Sequence, residues 1–367
     1  MADQKPIRVL CVFSSLDRGG AESMCMNLYK HIDRSKVQFD FVKHTHKKGA
    51  FEDEIVSLGG RIFEAPQYRV YNDITYKLWW HHFLSNHSEF NIIHAHFYTV
   101  ASLIFTIANR LGRLTISHCH STNVKGGSVS SFVKRILIKR NEKCSKICFA
   151  CSDASGKWLY PHRKFKVINN AIDTQEFAFS EAKRIKIRNE LGLTDEFVVG
   201  HVGNIAPVKN HTFLLDVFKE IHKIKHNSKL VLVGNGSHDE LKQKADRLGL
   251  SDDVFFTGAR SDVSDILQAF DVFAFPSLSE GLPVTVIEAQ AAGLKCFISD
   301  AVTREVDITG RCTFLPIDDP KLWADEIQNS DLSRIDTYEQ IKKAGYDIHT
   351  TAKKMEKFYM KLSERMK

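Results

Sequence analysis

Short apolar, β-branched runs alternate along the chain with longer stretches in which apolar residues recur every three or four positions. In the first half the runs are IRVLCVF, VQFDFV, RIFEA, NIIHAH, LTISHCH, KICFACS and KVINN. Their length and composition predict strands, and the periodic stretches between them predict helices, so the pattern is a succession of β-α-β units. A polar, charged stretch from about Thr174 to Glu196 then predicts a linker near residue 175. A second series follows it: FVVGHVG, KLVLVGNG, VFFTG, DVFAFPS and KCFISD. The last segment, TAKKMEKFYMKLSERMK, places Met355, Phe358, Tyr359 and Leu362 on one side of a helix too short to be a domain, which must dock on a lobe. The halves share an architecture without being copies. Each predicts a parallel sheet covered by helices on both faces, where ligands lie outside the carboxyl ends of the strands.

At 367 residues the chain exceeds the ~150-residue expectation for one domain, and 43% apolar residues suffice for two cores. No run of eighteen apolar residues occurs, and MADQKPIRVL passes directly into a strand pattern, so neither a membrane span nor secretion is expected and the expected location is cytoplasmic. Eight scattered cysteines, most of them inside apolar runs, predict reduced buried thiols without disulfides. Cys144, Cys148 and Cys151 lack paired C-x-x-C spacing and straddle a strand whose alternate residues face opposite ways, which argues against zinc. The formal charge of +7 suits an anionic ligand or membrane surface without choosing between them. Residues 130–143 predict a basic amphipathic helix, with Phe132, Ile136 and Ile138 set against Lys134, Arg135, Lys139 and Arg140. A solvated helix face is the plainer reading of that segment, and contact with anionic lipid the sharper one.

The most informative stretch is PSLSEGLPVTVIEAQAAG, residues 276–293, which leaves a strand and enters a helix. Pro283 fits the first helical turn, where its missing N–H has no intrahelical partner to lose. Glu280 then lies in the loop and Glu288 in the helix. Free amides near Gly281 and Leu282, reinforced by the helix dipole, form a receptor for phosphate or sugar hydroxyls. Carboxylates repel phosphate, so Glu280 and Glu288 are better explained as acceptors for the hydroxyls of a ribose and a sugar ring; the alternative is a capped helix with solvated acids. In GHVGNIAPVKNH, residues 200–211, the loop holding Gly203, Asn204, Lys209 and Asn210 follows another strand. Lys209 is placed to neutralise a diphosphate and the charge developing on a leaving group. A lone loop lysine is ordinarily only solvated, and the pairing with 280–288 sets this one apart.

In the first half, Gly19 and Gly20 stand between a strand and a helix, where they let backbone approach a ligand or merely shape the turn. His118 and His120 share one side of a strand, so one is a candidate core residue and the other a candidate for the cleft; His94 and His96 form a similar pair. A satisfied structural histidine is the alternative for each. GxxxxGK[ST], GxSxG and HExxH patterns are absent, as is an Asp pair suited to a divalent ion, Asp252 and Asp253 reading as a solvated turn.

These motifs resemble the family-4 retaining glycosyltransferases, particularly bacterial enzymes of exopolysaccharide and capsule assembly. RGGAES at 18–23, HCHST at 118–122, VINNAID at 167–173, GHVGNIAPVKNH at 200–211, FFTGARSDV at 255–263 and EGLPVTVIEAQAAG at 280–293 carry the resemblance over nearly the whole chain. It implies the GT-B fold: two Rossmann-like, doubly wound α/β domains facing across a cleft. Residues 1–175, with the C-terminal helix 351–367 docked back on them, would be the acceptor-binding domain, and 176–350 the nucleotide-sugar-binding domain. Glu288 would hold the donor ribose, and Glu280, Gly281 and Leu282 would contact the donor sugar and phosphates. Lys209 would bind the diphosphate beside Gly203 and Asn204, the backbone from Gly258 to Arg260 would meet the base, and Gly19 and Gly20 would line the donor and acceptor cleft as donor-binding residues. His120 would lie near the reacting sugar, making His120, Lys209 and Glu280 the catalytic candidates.

The family works without a bound metal or other cofactor. The resemblance implies a UDP-sugar donor, with GDP-mannose second, and a carbohydrate or lipid-linked acceptor rather than nucleic acid. Many relatives carry arginine where this chain has Asn204, which removes a bidentate phosphate partner. A sugar-nucleotide 2-epimerase on the same scaffold and a non-catalytic nucleotide-sugar-binding subunit are the competing readings.

Overall fold

The computed structural model describes residues 5–120 and 129–366, the side chains of 129–134 excepted. Ser121 and Thr122 of the HCHST run and the side chains of Phe132 and Lys134 lie outside the described residues. The chain divides into two compact units, 1–172 with 345–367 and 173–344.

The first unit carries a seven-stranded sheet built from β1 (Ile7–Val12), β2 (Val37–Lys43), β3 (Ile62–Glu64), β4 (Ile92–Ala95), β5 (Leu114–Cys119), β6 (Ile147–Ala150) and β7 (Lys166–Val167), in the order β3-β2-β1-β4-β5-β6-β7. Every pairing in it is parallel. Alternate residues of β1 enter two separate cores: Val9 and Cys11 join Phe39, Ile116, Met355 and Tyr359, whereas Leu10 and Val12 join Trp80, Ile93 and Phe105. Both faces of the sheet are thus buried at its centre, which is why its strands read as largely apolar runs without a polar face. Asp40 on β2, fully buried, accepts from the guanidinium groups of Arg8 and Arg61, and these charges hold its carboxyl below the usual range against the opposing effect of burial.

The terminal helix Ile348–Glu364 begins three residues before the predicted segment and buries Ile348, Ala352, Met355, Tyr359 and Leu362 in the first unit's core, with Phe358 half-buried beside them. Asp347 caps it by accepting from the Thr350 amide, 2.8 Å away.

The second unit carries β8 (Phe197–Val202), β9 (Ser228–Val233), β10 (Val254–Gly258), β11 (Val272–Phe275), β12 (Lys295–Ser299) and β13 (Cys312–Leu315), all parallel, in the order β10-β9-β8-β11-β12-β13. Strand β13, four residues of CTFL on an edge, is too short to stand out in the sequence.

The chain passes from the first unit to the second between Ile172 and Asp173, close to the linker expected near residue 175, and the polar segment 174–196 belongs to the second unit. It forms the helices Thr174–Phe177 and Glu181–Glu190, and the second unit begins at Asp173, whose carboxylate caps the first of them. Arg184 donates to Asp271 at 2.6 Å and Arg188 to the Ala269 carbonyl at 3.0 Å, so part of the polar composition reflects cations binding carbonyls and a carboxylate of this unit, while Glu181, Lys186, Asn189 and Glu190 are exposed. The basic helix runs Val129–Cys144, but the burial differs from the predicted stripe: Leu137 and Ile138 face inward while Ile136 is 45% exposed among Arg135, Lys139 and Arg140.

In both sheets the strand order reverses beside the first strand of the unit, β1 next to β4 and β8 next to β11. Ligands of doubly wound sheets bind beyond the carboxyl ends of the strands at such a reversal. The loops after β1, β4, β8 and β11 are therefore the ones to inspect.

Candidate functional site

In the second unit two of those loops are tied together. The turn Pro207–Lys209 follows β8, and Leu278, after β11, donates its amide to the Val208 carbonyl at 2.8 Å. The Lys209 ammonium lies 2.7 Å from Glu280 Oε1, with both side chains under one-fifth exposed, and it sits 4.7 Å from the centroid of the Phe275 ring. The buried Ser277 hydroxyl donates to the same Glu280 oxygen at 3.0 Å. Lys209 and Glu280, each assigned from sequence to a ligand, thus hold each other.

Beyond Glu280 the chain is open. A Cβ at Gly281 would meet nothing within 4 Å, and among the described residues the amides of Gly281 and Leu282 have no hydrogen-bond partner. The following helix is Val284–Ala291, with Pro283 as its N-cap, one position outside the helical turn predicted for it, because its ψ of 108° is extended. Two free amides ahead of a helix N-terminus, beside an ammonium, make an anion receptor.

Glu288, one turn inside that helix, is half-buried, and its carboxylate has no hydrogen-bond partner among the described residues. Burial, with a smaller contribution from the Glu176 carboxylate, pushes its pKa up to about 7. No contact among the described residues joins it to the Lys209–Glu280 pair.

The glycine neighbourhood of the β8 loop is set by backbone approach. The Gly203 amide donates to the Val233 carbonyl at 2.8 Å, and the Gly234 amide to the Gly258 carbonyl at 2.9 Å. Gly234 has φ +155°, and a Cβ there would fall 2.1 Å from the Gly203 oxygen, so only glycine fits. Asn204 turns its carboxamide oxygen to the Asn235 amide at 3.2 Å, tying the β8 and β9 loops. His201, fully buried, donates Nδ1–H to the Ala274 carbonyl at 2.8 Å; burial and the neighbouring His211 push its pKa well below the usual range, so it is neutral.

Gly258 ends β10 with φ +70°. The Arg260 guanidinium is not a free cation: it pairs with Asp262 at 2.6 Å and Glu190 at 2.8 Å, and these carboxylates raise its pKa. Only its backbone is available for the assigned contact with a base.

The structure thus gathers Gly203, Asn204, Lys209, Gly258 and Glu280 into one neighbourhood and leaves Arg260 and Glu288 outside its direct contacts. Sequence reasoning missed Ser277, His201 and the Gly234–Gly236 turn. The turn carried a signal, two glycines directly after a strand; the other two had none.

In the first unit Gly19 is the N-cap of the helix Gly20–His31, and a Cβ there would fall 2.3 Å from the Glu22 carboxylate, which folds back over it, whereas a Cβ at Gly20 would meet nothing within 4 Å. The carboxyl ends of β4 and β5 bring four histidine rings into one stack. Ring centroids lie 4.2 Å apart for His94 and His96, 4.1 Å for His118 and His120, and 5.3 Å for His96 and His120. His94, His96 and His118 are buried, and His120, the outermost, is half-buried. His94 Nδ1 lies 2.8 Å from the Tyr359 hydroxyl and His96 Nδ1 lies 3.1 Å from His120 Nε2. Burial pushes His94 and His120 down to about 3, and burial with the neighbouring rings pushes His96 and His118 well below the usual range, so the stack is neutral near pH 7.

Two parallel α/β units, each with its candidate site at the strand-order reversal, make up the GT-B fold, on which transferases of sugar nucleotides are built. Residues 18–176 match the family model described as Glycosyltransferase Family 4, and 196–330 match Glycosyl transferases group 1, so the chain belongs to this glycosyltransferase family. It is 34% identical over 360 residues to the Bacillus subtilis glycosyltransferase EpsF, with 93% of each chain covered. Over 142 residues, 37% of each chain, it is 35% identical to the Escherichia coli UDP-Gal:alpha-D-GlcNAc-diphosphoundecaprenol alpha-1,3-galactosyltransferase. The solved structure of Anabaena Alr3699/HepE in complex with UDP and glucose has the same fold, with a TM-score of 0.76, 19% identity, and coverage of 97% of this chain and 100% of that one.

Proposed function

We propose that this glycosyltransferase moves a hexose or N-acetylhexosamine from a nucleoside diphosphate sugar to a polysaccharide or lipid-linked oligosaccharide, with retention at the anomeric carbon and without a bound metal. A UDP-sugar is the favoured donor and GDP-mannose the second. The observation that carries the reading is Glu288: a half-buried carboxylate without a hydrogen-bond partner among the described residues, on the helix that follows the Lys209–Glu280 loop. Such a group is costly unless a ligand supplies donors, and ribose hydroxyls do so. The E. coli relative, whose name gives a UDP-sugar donor and a diphosphoundecaprenol acceptor, supports the donor base and a lipid-linked acceptor.

In this reading the diphosphate sits on the Gly281 and Leu282 amides and draws Lys209 from Glu280, and the freed carboxylate accepts hydroxyls of the donor sugar. The bond from C1 to the diphosphate oxygen breaks as the acceptor oxygen bonds C1 on the same face. The acceptor's proton passes to the departing phosphate, whose charge Lys209 and the amides offset. A fixed ammonium and oriented amides supply the positive field that a metal supplies elsewhere. Gly19 and Gly20 are assigned to the lining for donor and acceptor and His120 to the reacting sugar; neutral and half-buried, His120 is suited to hydrogen-bond a sugar hydroxyl.

Calorimetric titration with UDP, GDP and ADP, with and without EDTA, alongside Glu288→Ala, tests the donor site. Binding of one nucleotide, insensitive to EDTA and lost in the variant, is expected. Absence of binding by all three would leave the fold without the function. Formation of a new nucleotide sugar without acceptor would point to epimerisation instead.

A further inference from the structure

Near the carboxyl ends of β1 and β4 the first unit holds a cluster that the donor reading does not use. Cys11 on β1, Cys25 on the helix Gly20–His31 and His96, directly after β4, are 0%, 1% and 5% exposed, and their two sulfurs and a ring nitrogen all lie within 4.8 Å of one another. The two thiols hydrogen-bond each other. Strand register explains the convergence. Cys11 pairs with His94 on β4, the His96 ring stacks on that of His94, and Cys25 descends from the helix packed on the same face.

The imidazoles here are short of partners. Among the described residues, His94 Nε2, His96 Nε2, both ring nitrogens of His118 and His120 Nδ1 are buried without a hydrogen bond. Buried polar atoms ordinarily find a partner, and a metal ion is one that satisfies imidazole nitrogens and thiols together. His96 stands out from the other three. Its Nδ1 is held by His120 Nε2 at 3.1 Å, the arrangement by which a ligating histidine is oriented through its second nitrogen, and Nε2 is left for an ion. His94, His96 and His118 also bring ring nitrogens within 4.8 Å of one another, but the His94 and His118 rings lie 7° from parallel, and lone pairs in parallel planes do not meet at one point. The sulfurs, which approach from β1 and from the helix, are free of that restriction.

We propose that Cys11, Cys25 and His96 hold one zinc ion. Two thiolates and an imidazole suit zinc, whereas calcium and magnesium take oxygen ligands. Donor atoms around a tetrahedral zinc stand about 3.5–3.8 Å apart, so the three groups close on the ion by side-chain adjustments of roughly 1 Å. The thiols release their protons to solvent as the zinc–sulfur bonds form. A fourth donor is at hand in His94, whose Nε2 is unpartnered. With Nε2 on the ion, His96 carries its proton on Nδ1 and donates it to His120 Nε2, which leaves the proton of neutral His120 on Nδ1. The ion thereby fixes the tautomer of His120 and takes no part in the transfer chemistry, so the inference is independent of the donor site.

The test is zinc uptake by the full chain, refolded from urea in the presence of zinc so that the ion reaches the buried position as it forms. Wild type is expected to retain one zinc per chain through gel filtration, and Cys11→Ala with Cys25→Ala to lose it while keeping the circular dichroism of the metal-free wild type. Cys312→Ala, which removes a free thiol of the second unit, is expected to retain the ion. Cobalt(II) in place of zinc gives a readout that needs no variant: ligation by the two thiolates is expected to produce a near-ultraviolet sulfur-to-cobalt band in wild type, and His96→Gln to shift the visible cobalt bands. Wild type that retains neither ion, or cobalt held without the sulfur band, would overturn the proposal. So would zinc retained by the double alanine variant as by wild type, which would give the ion to histidines elsewhere in the chain.

Discussion

Lys209 and Glu280, from the loops after β8 and β11, form an ion pair at 2.7 Å in which each neutralises the group proposed to bind a different part of the donor. The pair keeps an ammonium and a carboxylate poised in a largely buried place without leaving either uncompensated. Ligand binding must then exchange one partner for another, diphosphate for carboxylate on the lysine and hydroxyls for ammonium on the glutamate.

The two residues therefore respond differently to substitution. Lys209→Ala is expected to weaken UDP binding by roughly ten- to a hundredfold, the range of a lost charge-assisted hydrogen bond. Glu280→Gln frees the lysine, so UDP binding is expected to hold or tighten while sugar transfer falls. Calorimetry and turnover on both variants check this, and equal losses of UDP affinity would show the pair to be only a loop tie.

Glu288 predicts a pH dependence. A carboxyl whose folded pKa of about 7 exceeds its ordinary 4.5 binds more protons folded than unfolded between those values, so stability falls as pH rises through that window. Glu288→Gln removes this dependence and is expected to gain on wild type between pH 5 and pH 8 in urea titrations. Donor binding moves the opposite way: with the ionised form accepting ribose hydroxyls, UDP affinity is expected to rise about tenfold from pH 6 to pH 8 in wild type and less in the variant. A flat wild-type profile relative to Glu288→Gln would show that this carboxyl does not meet the ligand.

The histidine stack predicts acid sensitivity in the first unit. Histidines with folded pKa values below their ordinary 6.5 bind fewer protons folded than unfolded, so their contribution is present above about pH 6.5 and is lost as pH falls toward about 3, where His94 and His120 titrate. The buried His118 contributes at most about 1.4 kcal/mol per pH unit to that slope, and His118→Asn is expected to flatten it. Tyr359→Phe leaves His94 Nδ1 without its hydroxyl and is expected to cost about 1–3 kcal/mol at pH 7, read by denaturant titration. An unchanged slope and an unchanged midpoint would separate the stack from the stability of this unit.

The alternation of apolar runs and helical periods was enough to place β1 to β12, because strands buried on both faces stay rich in β-branched and aromatic residues even where a buried polar group such as Asp40 or His94 interrupts them. It missed β13, a four-residue edge strand, and the two helices within 174–196, where arginine and lysine side chains that bind carbonyls and carboxylates of a packed unit look the same in sequence as side chains in water. The loop that carries Glu280, Gly281 and Leu282 and the helix that carries Glu288 were legible because a strand end, a loop and a helix start follow one another within a short stretch of sequence.

What the sequence by itself determined is local: which segments are strands and helices, and which loops carry glycine, lysine and glutamate. Tertiary structure alone decided which of those groups meet. It set Lys209 on Glu280 across seventy-one positions, Tyr359 on His94 across 265, and the Arg260 guanidinium on Glu190 and Asp262 instead of leaving it free. It also left Ile74 and Leu78 outside while Tyr76 and Trp80 went in. Helical periodicity cannot choose between two apolar faces, because the choice rests on which neighbouring helix and strand cover one of them.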